Sequence, residues 1–150
     1  MPVPTIGAHI ECDLVLDPAT IRAGADLVGD ANPLHHDEAF ATRSRYGGLI
    51  ASGAHTAALL AGLATQGFGA KLSDGPGAVG VEINVRFVAP IRALQPLRLR
   101  WQVVGHEPRR SGTLVRLEGG IADADTSAPL LTATMTVLYF SPSPPGRGPG

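Results

Sequence analysis

The 150-residue chain has only one cysteine and no excess of charge of either sign. With Cys12 alone, no disulfide can form within the chain, and since no feature around Cys12 marks a nucleophile, we expect a structural role for it. The 12 Lys and Arg residues nearly balance the 13 Asp and Glu residues, and the formal net charge is -1. Arg109 and Arg110 form the only adjacent basic pair. Nucleic-acid binding is therefore not expected.

The chain also lacks a long apolar run. Its longest stretch of small and apolar residues, 54–64, is interrupted by His55 and Thr56 and is too short to span a bilayer. The N-terminus shows no basic region followed by an apolar run, so we expect no secretory signal and no membrane association. The expected compartment is the cytoplasm.

The overall composition is that of a globular protein. Hydrophobic residues make up 44% of the chain and charged residues 17%. A chain of this length fits one domain, and we predict that residues 1–140 form it. Residues 141–150 consist of Ser, Pro and Gly with a single Arg, a composition that predicts a disordered tail.

The first third of the chain predicts a strand followed by a helix. Residues 6–16 hold apolar positions in loose alternation, which is compatible with a strand. Asp17 and Pro18 then form a helix start signal, with Asp as the N-cap and Pro at the first helical position. Apolar residues at helical spacing follow up to residue 28, and Gly29 ends the predicted helix.

A segment without clear periodicity separates this helix from the next. Residues 30–48 contain the turn signal Asn32-Pro33 and a possible short helical turn over 38–42. A loop-rich segment of this length inside a compact domain is usually functional. The next helix is predicted to open at Ser52-Gly53 and to run to about Thr65. Because its residues are small or apolar on every side, we expect a buried helix.

Alternating apolar residues predict four strands in the second half, over residues 81–88, 97–104, 113–121 and 131–139. A strand, then helices, then consecutive strands indicates an α+β fold with helices on one face of an antiparallel sheet. We predict the hot-dog arrangement, in which the sheet wraps around a long buried central helix. Such a sheet needs a partner to cover its edge, so we expect at least a homodimer.

Asp30 and His35 are the strongest candidates for chemistry. They are five residues apart, and Pro33 between them excludes a continuous helix and pushes Asn32 toward extended geometry. A tight turn can therefore bring a carboxylate and an imidazole to one point, where they can perform acid-base work near neutral pH. For an isolated Asp and His, capping and packing are the commoner explanation. The complete pattern Gly-Asp-x-Asn-Pro-x-His favours the catalytic one.

The stretch Gly29 to Phe40, GDANPLHHDEAF, resembles the hydratase motif of the MaoC-like family, which includes the (R)-specific enoyl-CoA hydratases. Tyr46-Gly-Gly-Leu-Ile-Ala-Ser-Gly53 lies where that family continues to a glycine at the start of the hot-dog helix. The resemblance implies that Asp30 and His35 bind a water and add it across a trans-2-enoyl thioester, or remove it in reverse. It also implies that the backbone N–H of Gly53 polarises the thioester carbonyl, as an unpaired amide at a helix start can do.

The sequence departs from the family pattern at Ser52, where the family commonly has His. His55 lies one helical turn later and is a candidate to replace it, although a His in a first turn is more often a packed residue. We assign Asn32, Ser52 and His55 to substrate binding; Asn32 is also suited to hold the turn by bonding backbone groups. The expected substrate is an acyl-CoA or acyl-carrier thioester, without a cofactor. No metal site is expected, because the run from His35 to Asp37 has no further ligands nearby.

Two other functions remain open at this point. A hot-dog thioesterase would direct water to the carbonyl carbon instead of the β-carbon, and fold alone does not separate the two. The hydratase-type motif argues against it. A non-catalytic acyl-binding or oligomerisation module is the second alternative, and the missing His before Gly53 is the feature that supports it.

Overall fold

The structure, a computed structural model, describes residues 3–68 and 77–140 of the chain. Its strands are β1 (His9–Leu14), β2 (Gly77–Phe87), β3 (Leu97–Arg109), β4 (Gly112–Asp123) and β5 (Pro129–Phe140). Its helices are α1 (Pro18–Leu27), α2 (Glu38–Arg43) and α3 (Gly53–Phe68), with a 3-10 turn at Pro33–His35. The predicted disordered tail, residues 141–150, lies outside the described residues.

The five strands form one sheet in the order β1-β3-β4-β5-β2, and every neighbouring pair is antiparallel. The alternation of apolar and polar residues in the sequence gives the sheet one buried face and one exposed face. Along β3, Leu97, Leu99 and Trp101 are buried, whereas Arg98 and Arg100 between them are exposed. The predicted α+β architecture is confirmed.

Helix α3 packs on the inner face of this sheet. Two side chains of the sheet also hydrogen-bond to helix carbonyls: Trp101 Nε1 donates to the Leu60 carbonyl over 2.7 Å, and the Tyr139 hydroxyl donates to the Phe68 carbonyl. Both polar groups are buried with a partner, so the apolar rings are accommodated without an unsatisfied donor. The buried residues of α3 are His55, Thr56, Leu60, Leu63, Ala64 and Phe68.

Helix α3 is less completely buried than the sequence predicts, and strand β2 also leaves part of its apolar surface exposed. Ala54, Ala58 and Gly62 of α3 are exposed, because one curved sheet covers only one side of a helix. No helix in the described parts of the chain is long and apolar enough to cross a membrane. Strand β2 lies at a sheet edge and leaves several apolar side chains exposed: Val79, Val81, Ile83 and Phe87, followed by Val88 in the next loop.

The two ends of α1 fix the position of Asp30. Asp17 accepts a hydrogen bond from the Thr20 amide at 2.7 Å, which confirms the predicted N-cap. At the other end Gly29 adopts φ +72°, a left-handed conformation that favours glycine. The amides of Gly29 and Asp30 then donate back to the carbonyls of Asp26 and Ala25, over 3.1 and 2.8 Å. This pair of bonds is a Schellman motif, and it holds the backbone of Asp30 against the helix end.

Candidate active site

The Pro33 turn brings Asp30 and His35 into contact. Asn32 is extended, with ψ 123°, and its side-chain oxygen accepts from the Leu34 amide at 3.0 Å. Pro33 then starts the short 3-10 turn, which folds the chain back toward α1. As a result, His35 Nε2 lies 3.1 Å from Asp30 Oδ2. The structure therefore juxtaposes the two side chains that the sequence pattern singles out.

The two ring nitrogens of His35 have different partners. Nδ1 lies 2.7 Å from the carbonyl oxygen of Ile50, and His35 as a whole is buried, with 6% of its surface exposed. A carbonyl oxygen can only accept, so Nδ1 must carry the proton in that bond. The contact between Nε2 and the Asp30 carboxylate is in turn a hydrogen bond only while a proton lies between them. The buried imidazole thus presents Nε2 to Asp30 in a fixed orientation.

The carboxylate of Asp30 accepts two hydrogen bonds in addition to its contact with His35. The Ser52 hydroxyl donates to Oδ2 at 2.7 Å, beside His35, and the Asn32 amide donates to Oδ1 at 3.2 Å. The Ser52 hydrogen bond, followed by the Asn32 amide and the neighbouring His35, holds the pKa of Asp30 below its usual value. Asp30 is therefore ionised at neutral pH. Its side chain remains 30% exposed, so water can reach it.

His36, next to the predicted catalytic His35, has a supporting contact that the sequence did not reveal. Its Nε2 lies 2.6 Å from the backbone carbonyl of Asp30, and its Nδ1 lies 3.7 Å from Asp26 Oδ1. The Arg22 guanidinium in turn donates to the His36 carbonyl at 3.1 Å. Two adjacent histidines thus hold the same aspartate, one at its carboxylate and the other at its backbone.

A cavity of about 520 Å³ lies beside this pair. Its size is within the range of small-molecule sites, and most of its lining is apolar. Of the predicted catalytic residues, His35 and Gly53 contribute to the lining, whereas Asp30 contacts His35 without lining the cavity itself. The remaining lining residues are Tyr46, Ile50, Ala51, Ala54, Thr56, Phe87, Val88, Ala89, Pro90, Ile91 and Leu130.

Gly53 begins α3 at the wall of the cavity. The first hydrogen bond of the helix runs from the Thr56 amide to the Ser52 carbonyl at 3.0 Å, so the Gly53 amide precedes the helical ladder. A Cβ on residue 53 would lie 2.8 Å from the ring of Phe87, closer than a side chain tolerates without displacing that ring. Glycine therefore permits both the close approach of Phe87 and access to the first amides of the helix.

The three residues that the sequence analysis assigned to substrate binding do not line the cavity. Asn32 is exposed and its side-chain oxygen bonds to the Leu34 amide, so it holds the turn. Ser52 is fully buried and donates to Asp30. His55 is 8% exposed and packs against Gly24 of α1, where an added Cβ would lie 2.1 Å from its Nδ1. None of the three lies in the described cavity lining, because each side chain is directed into the loop or the α1–α3 interface.

The described residues include no group of three or more His, Cys, Asp or Glu side chains that could hold a metal ion.

A family model described as a MaoC like domain matches residues 3–122 of the chain. Among curated proteins, the 3-hydroxybutyryl-CoA dehydratase of Methylorubrum extorquens is 36% identical over 86 residues, which are 57% of this chain and 52% of that protein. The match thus spans about half the length of the curated relative.

Two solved structures show how widely the fold is shared. The (R)-hydratase of A. caviae, involved in PHA biosynthesis, superposes with a TM-score of 0.78 at 23% identity, over 90% of this chain and 96% of that chain. A chain of the ChsH1-ChsH2 complex from Mycobacterium tuberculosis superposes with a TM-score of 0.77 at 20% identity, over 90% of this chain and 98% of that chain. At these identities the likeness concerns the fold, and it confirms the predicted hot-dog arrangement.

The buried imidazole of His55 predicts a pH-dependent stability. Its Nδ1 has no hydrogen-bond partner among the described residues, and burial lowers the pKa of His55 below its ordinary value. Below about pH 6.5 the unfolded chain then binds more protons than the folded chain, so this contribution to stability is lost as the pH falls. As the pH is lowered from 7 to 5, we expect the thermal unfolding midpoint to decrease less steeply in His55→Leu than in the unsubstituted protein.

The matched control is His9→Leu, which removes an exposed histidine from β1. Its thermal midpoint should change with pH as steeply as that of the unsubstituted protein. Equal slopes for His55→Leu and the unsubstituted protein would show that protonation of His55 does not oppose folding.

Proposed function

The chain belongs to the MaoC-like dehydratase family, and from this premise we propose that it hydrates a trans-2-enoyl thioester, or dehydrates the 3-hydroxyacyl thioester in reverse, by acid-base chemistry of Asp30 and His35. The observation that carries the proposal is the contact of 3.1 Å between His35 Nε2 and Asp30 Oδ2 at the wall of the cavity. A carboxylate and an imidazole at this distance can exchange a proton directly, and a water molecule can bind beside the pair.

The number of acceptor positions on Asp30 supports a single water site. A carboxylate offers about four lone-pair positions. The Ser52 hydroxyl and the Asn32 amide donate to two of them, and His35 Nε2 occupies a third by contact in this structure. The remaining position is accessible, because the side chain is 30% exposed. A water bound there lies next to the imidazole and faces a base that is kept ionised at neutral pH.

The proposed step balances its protons between the two residues. As the water oxygen forms its bond to C3 of the enoyl group, Asp30 takes one of its protons. The π-electron pair moves toward the thioester carbonyl, and the resulting enolate accepts a proton at C2 from His35 Nε2–H. Asp30 then returns its proton to His35 across their hydrogen bond, which restores the starting state.

Gly53 is the proposed site of enolate stabilisation. Its amide precedes the hydrogen-bond ladder of α3, and the partial positive charge of a helix N-terminus favours a developing negative oxygen. Gly53 and His35 line the same cavity, which is what a substrate spanning both groups requires. A thioesterase needs the same amide, but it has no use for a proton donor at C2.

For the substrate we propose a short acyl thioester. The curated relative is named for 3-hydroxybutyryl-CoA, which carries a four-carbon acyl group. An apolar wall formed by Ile50, Ile91 and Leu130 suits such a group, since burying it removes hydrocarbon surface from water.

The purified protein should consume crotonyl-CoA with loss of the enoyl absorbance and without release of free thiol. Asp30→Asn and His35→Ala should each lower the hydration rate by about 10² or more, because each removes one of the two proton-transfer groups. The rates are measured by absorbance, with thiol release followed in parallel by a thiol reagent. Release of thiol by the unsubstituted protein would instead identify a thioesterase.

The matched controls are Asp125→Asn, in the loop between β4 and β5, and His9→Ala, in β1. Both should keep the rate of the unsubstituted protein. Near-normal rates for Asp30→Asn and His35→Ala would exclude the proposed acid-base pair.

We also propose that a second copy of the chain covers β2. Val81 is 52% exposed and Phe87 is 58% exposed, along an edge strand whose outer backbone groups have no neighbouring strand in the described sheet. An exposed apolar edge of this kind is a pairing surface. Phe87 also lines the cavity, so a partner on β2 would complete its outer wall. A different MaoC-like subunit is the alternative occupant, since one structure of similar fold is the ChsH1-ChsH2 complex.

Size-exclusion chromatography with light scattering should therefore give a molar mass of about twice the chain mass of 15.5 kDa. Val81→Lys should shift the mass toward that of the monomer, because it places a charge at the proposed contact. Val104→Lys is a matched control: it also alters a partly exposed valine at a strand irregularity, but on β3. A monomeric unsubstituted protein, or dissociation by both variants alike, would exclude β2 as the homodimer contact.

A further inference from the structure

Ser52 lies between the two parts of the proposed site. Ser52 is fully buried. Hydrogen bonds fix the backbone on both sides of it. The preceding residue, Ala51, donates its amide to the Ile91 carbonyl at 2.8 Å, and the Ser52 carbonyl accepts from the Thr56 amide at 3.0 Å. The Ser52 side chain therefore starts from a rigid position, directly before the Gly53 amide.

The Ser52 hydroxyl donates to Asp30 Oδ2 over 2.7 Å. We propose that Ser52 is a positioning residue that orients the Asp30 carboxylate and sets its spacing from the Gly53 amide; this inference rests on the proposed function. A hydroxyl has one proton to donate, and here it is directed to the carboxylate. A hydrogen bond from a hydroxyl to an ionised carboxylate is among the stronger kinds in proteins.

The position of this bond explains why it matters for the reaction. Ser52 donates to Oδ2, the oxygen that His35 Nε2 also contacts, so the carboxylate is held from two different chain segments. With both in place, the free acceptor position points in one direction. Because Ser52 also adjoins Gly53, the same contact links the base to the helix start that would stabilise the enolate.

The backbone of Asp30 is held without Ser52. Its amide donates to the Ala25 carbonyl at 2.8 Å, and His36 Nε2 contacts its carbonyl at 2.6 Å. Loss of the hydroxyl should therefore leave the loop in place and release only the carboxylate. This separation distinguishes a positioning role from a structural one.

The charge state of Asp30 depends on the same contact. Donation from Ser52 is the largest of the causes that lower the pKa of Asp30. The other titratable or charged groups around the pair are His35, His36, Asp26, Arg22 and Glu38. His55 of α3 faces Gly24 instead. Removal of the hydroxyl should raise the pKa of Asp30, so the acid limb of the activity profile should move to higher pH.

Ser52→Ala should lower kcat by about 10- to 100-fold, the usual effect of removing a group that orients a functional side chain, with KM changed much less. Its kcat/KM should fall at a higher pH than in the unsubstituted protein, because Asp30 must be ionised to act. Ser52→Thr keeps the hydroxyl and should recover most of kcat. The matched control is Ser44→Ala, which removes another serine hydroxyl, one that donates to the Ala41 carbonyl.

A second measurement does not depend on activity. The titration midpoint of the Asp30 carboxyl carbon, followed by NMR, should be higher in Ser52→Ala than in the unsubstituted protein and unchanged in Ser44→Ala. An unchanged Asp30 midpoint, or a Ser52→Ala protein that unfolds at the assay temperature, would overturn the positioning role. A raised midpoint in a protein without hydratase activity would overturn the proposed function and leave the contact established.

Discussion

The carboxylate of Asp30 is the point at which three separate parts of the chain meet. The end of α1 fixes its backbone, the Pro33 turn brings His35 to Oδ2, and the start of α3 brings Ser52 to the same oxygen. An ionised carboxylate that is partly removed from water needs such donors. The arrangement of the loop, the cavity wall and the helix start therefore depends on satisfying one charged group.

The local features of this arrangement could be predicted from the sequence because each depends on neighbouring residues. Asp17 caps α1, Gly29 ends it in a left-handed conformation, and Pro33 prevents the chain from continuing as a helix. These short-range constraints are enough to predict that Asp30 and His35 approach each other. The strands could also be predicted from the sequence, since their apolar residues alternate with polar ones.

Contacts between distant segments could not be predicted in the same way. The carbonyl of Ile50 orients His35, but a backbone acceptor leaves no signature in the sequence. Ser52 and His55 were both assigned to substrate binding, yet one donates to Asp30 and the other packs on Gly24. The exposure of β2 could not be predicted either, because the alternation of apolar residues does not show what covers the strand.

The addition of water at C3 of an enoyl thioester can be tested by following the oxygen atom. Crotonyl-CoA would be incubated with the protein in H₂¹⁸O, and the products examined by mass spectrometry. We expect ¹⁸O in the 3-hydroxyl group of an intact thioester, because the water activated by Asp30 and His35 attacks the β-carbon. Label found instead in the carboxylate of a released acid would show attack at the carbonyl carbon and would contradict the proposed hydration.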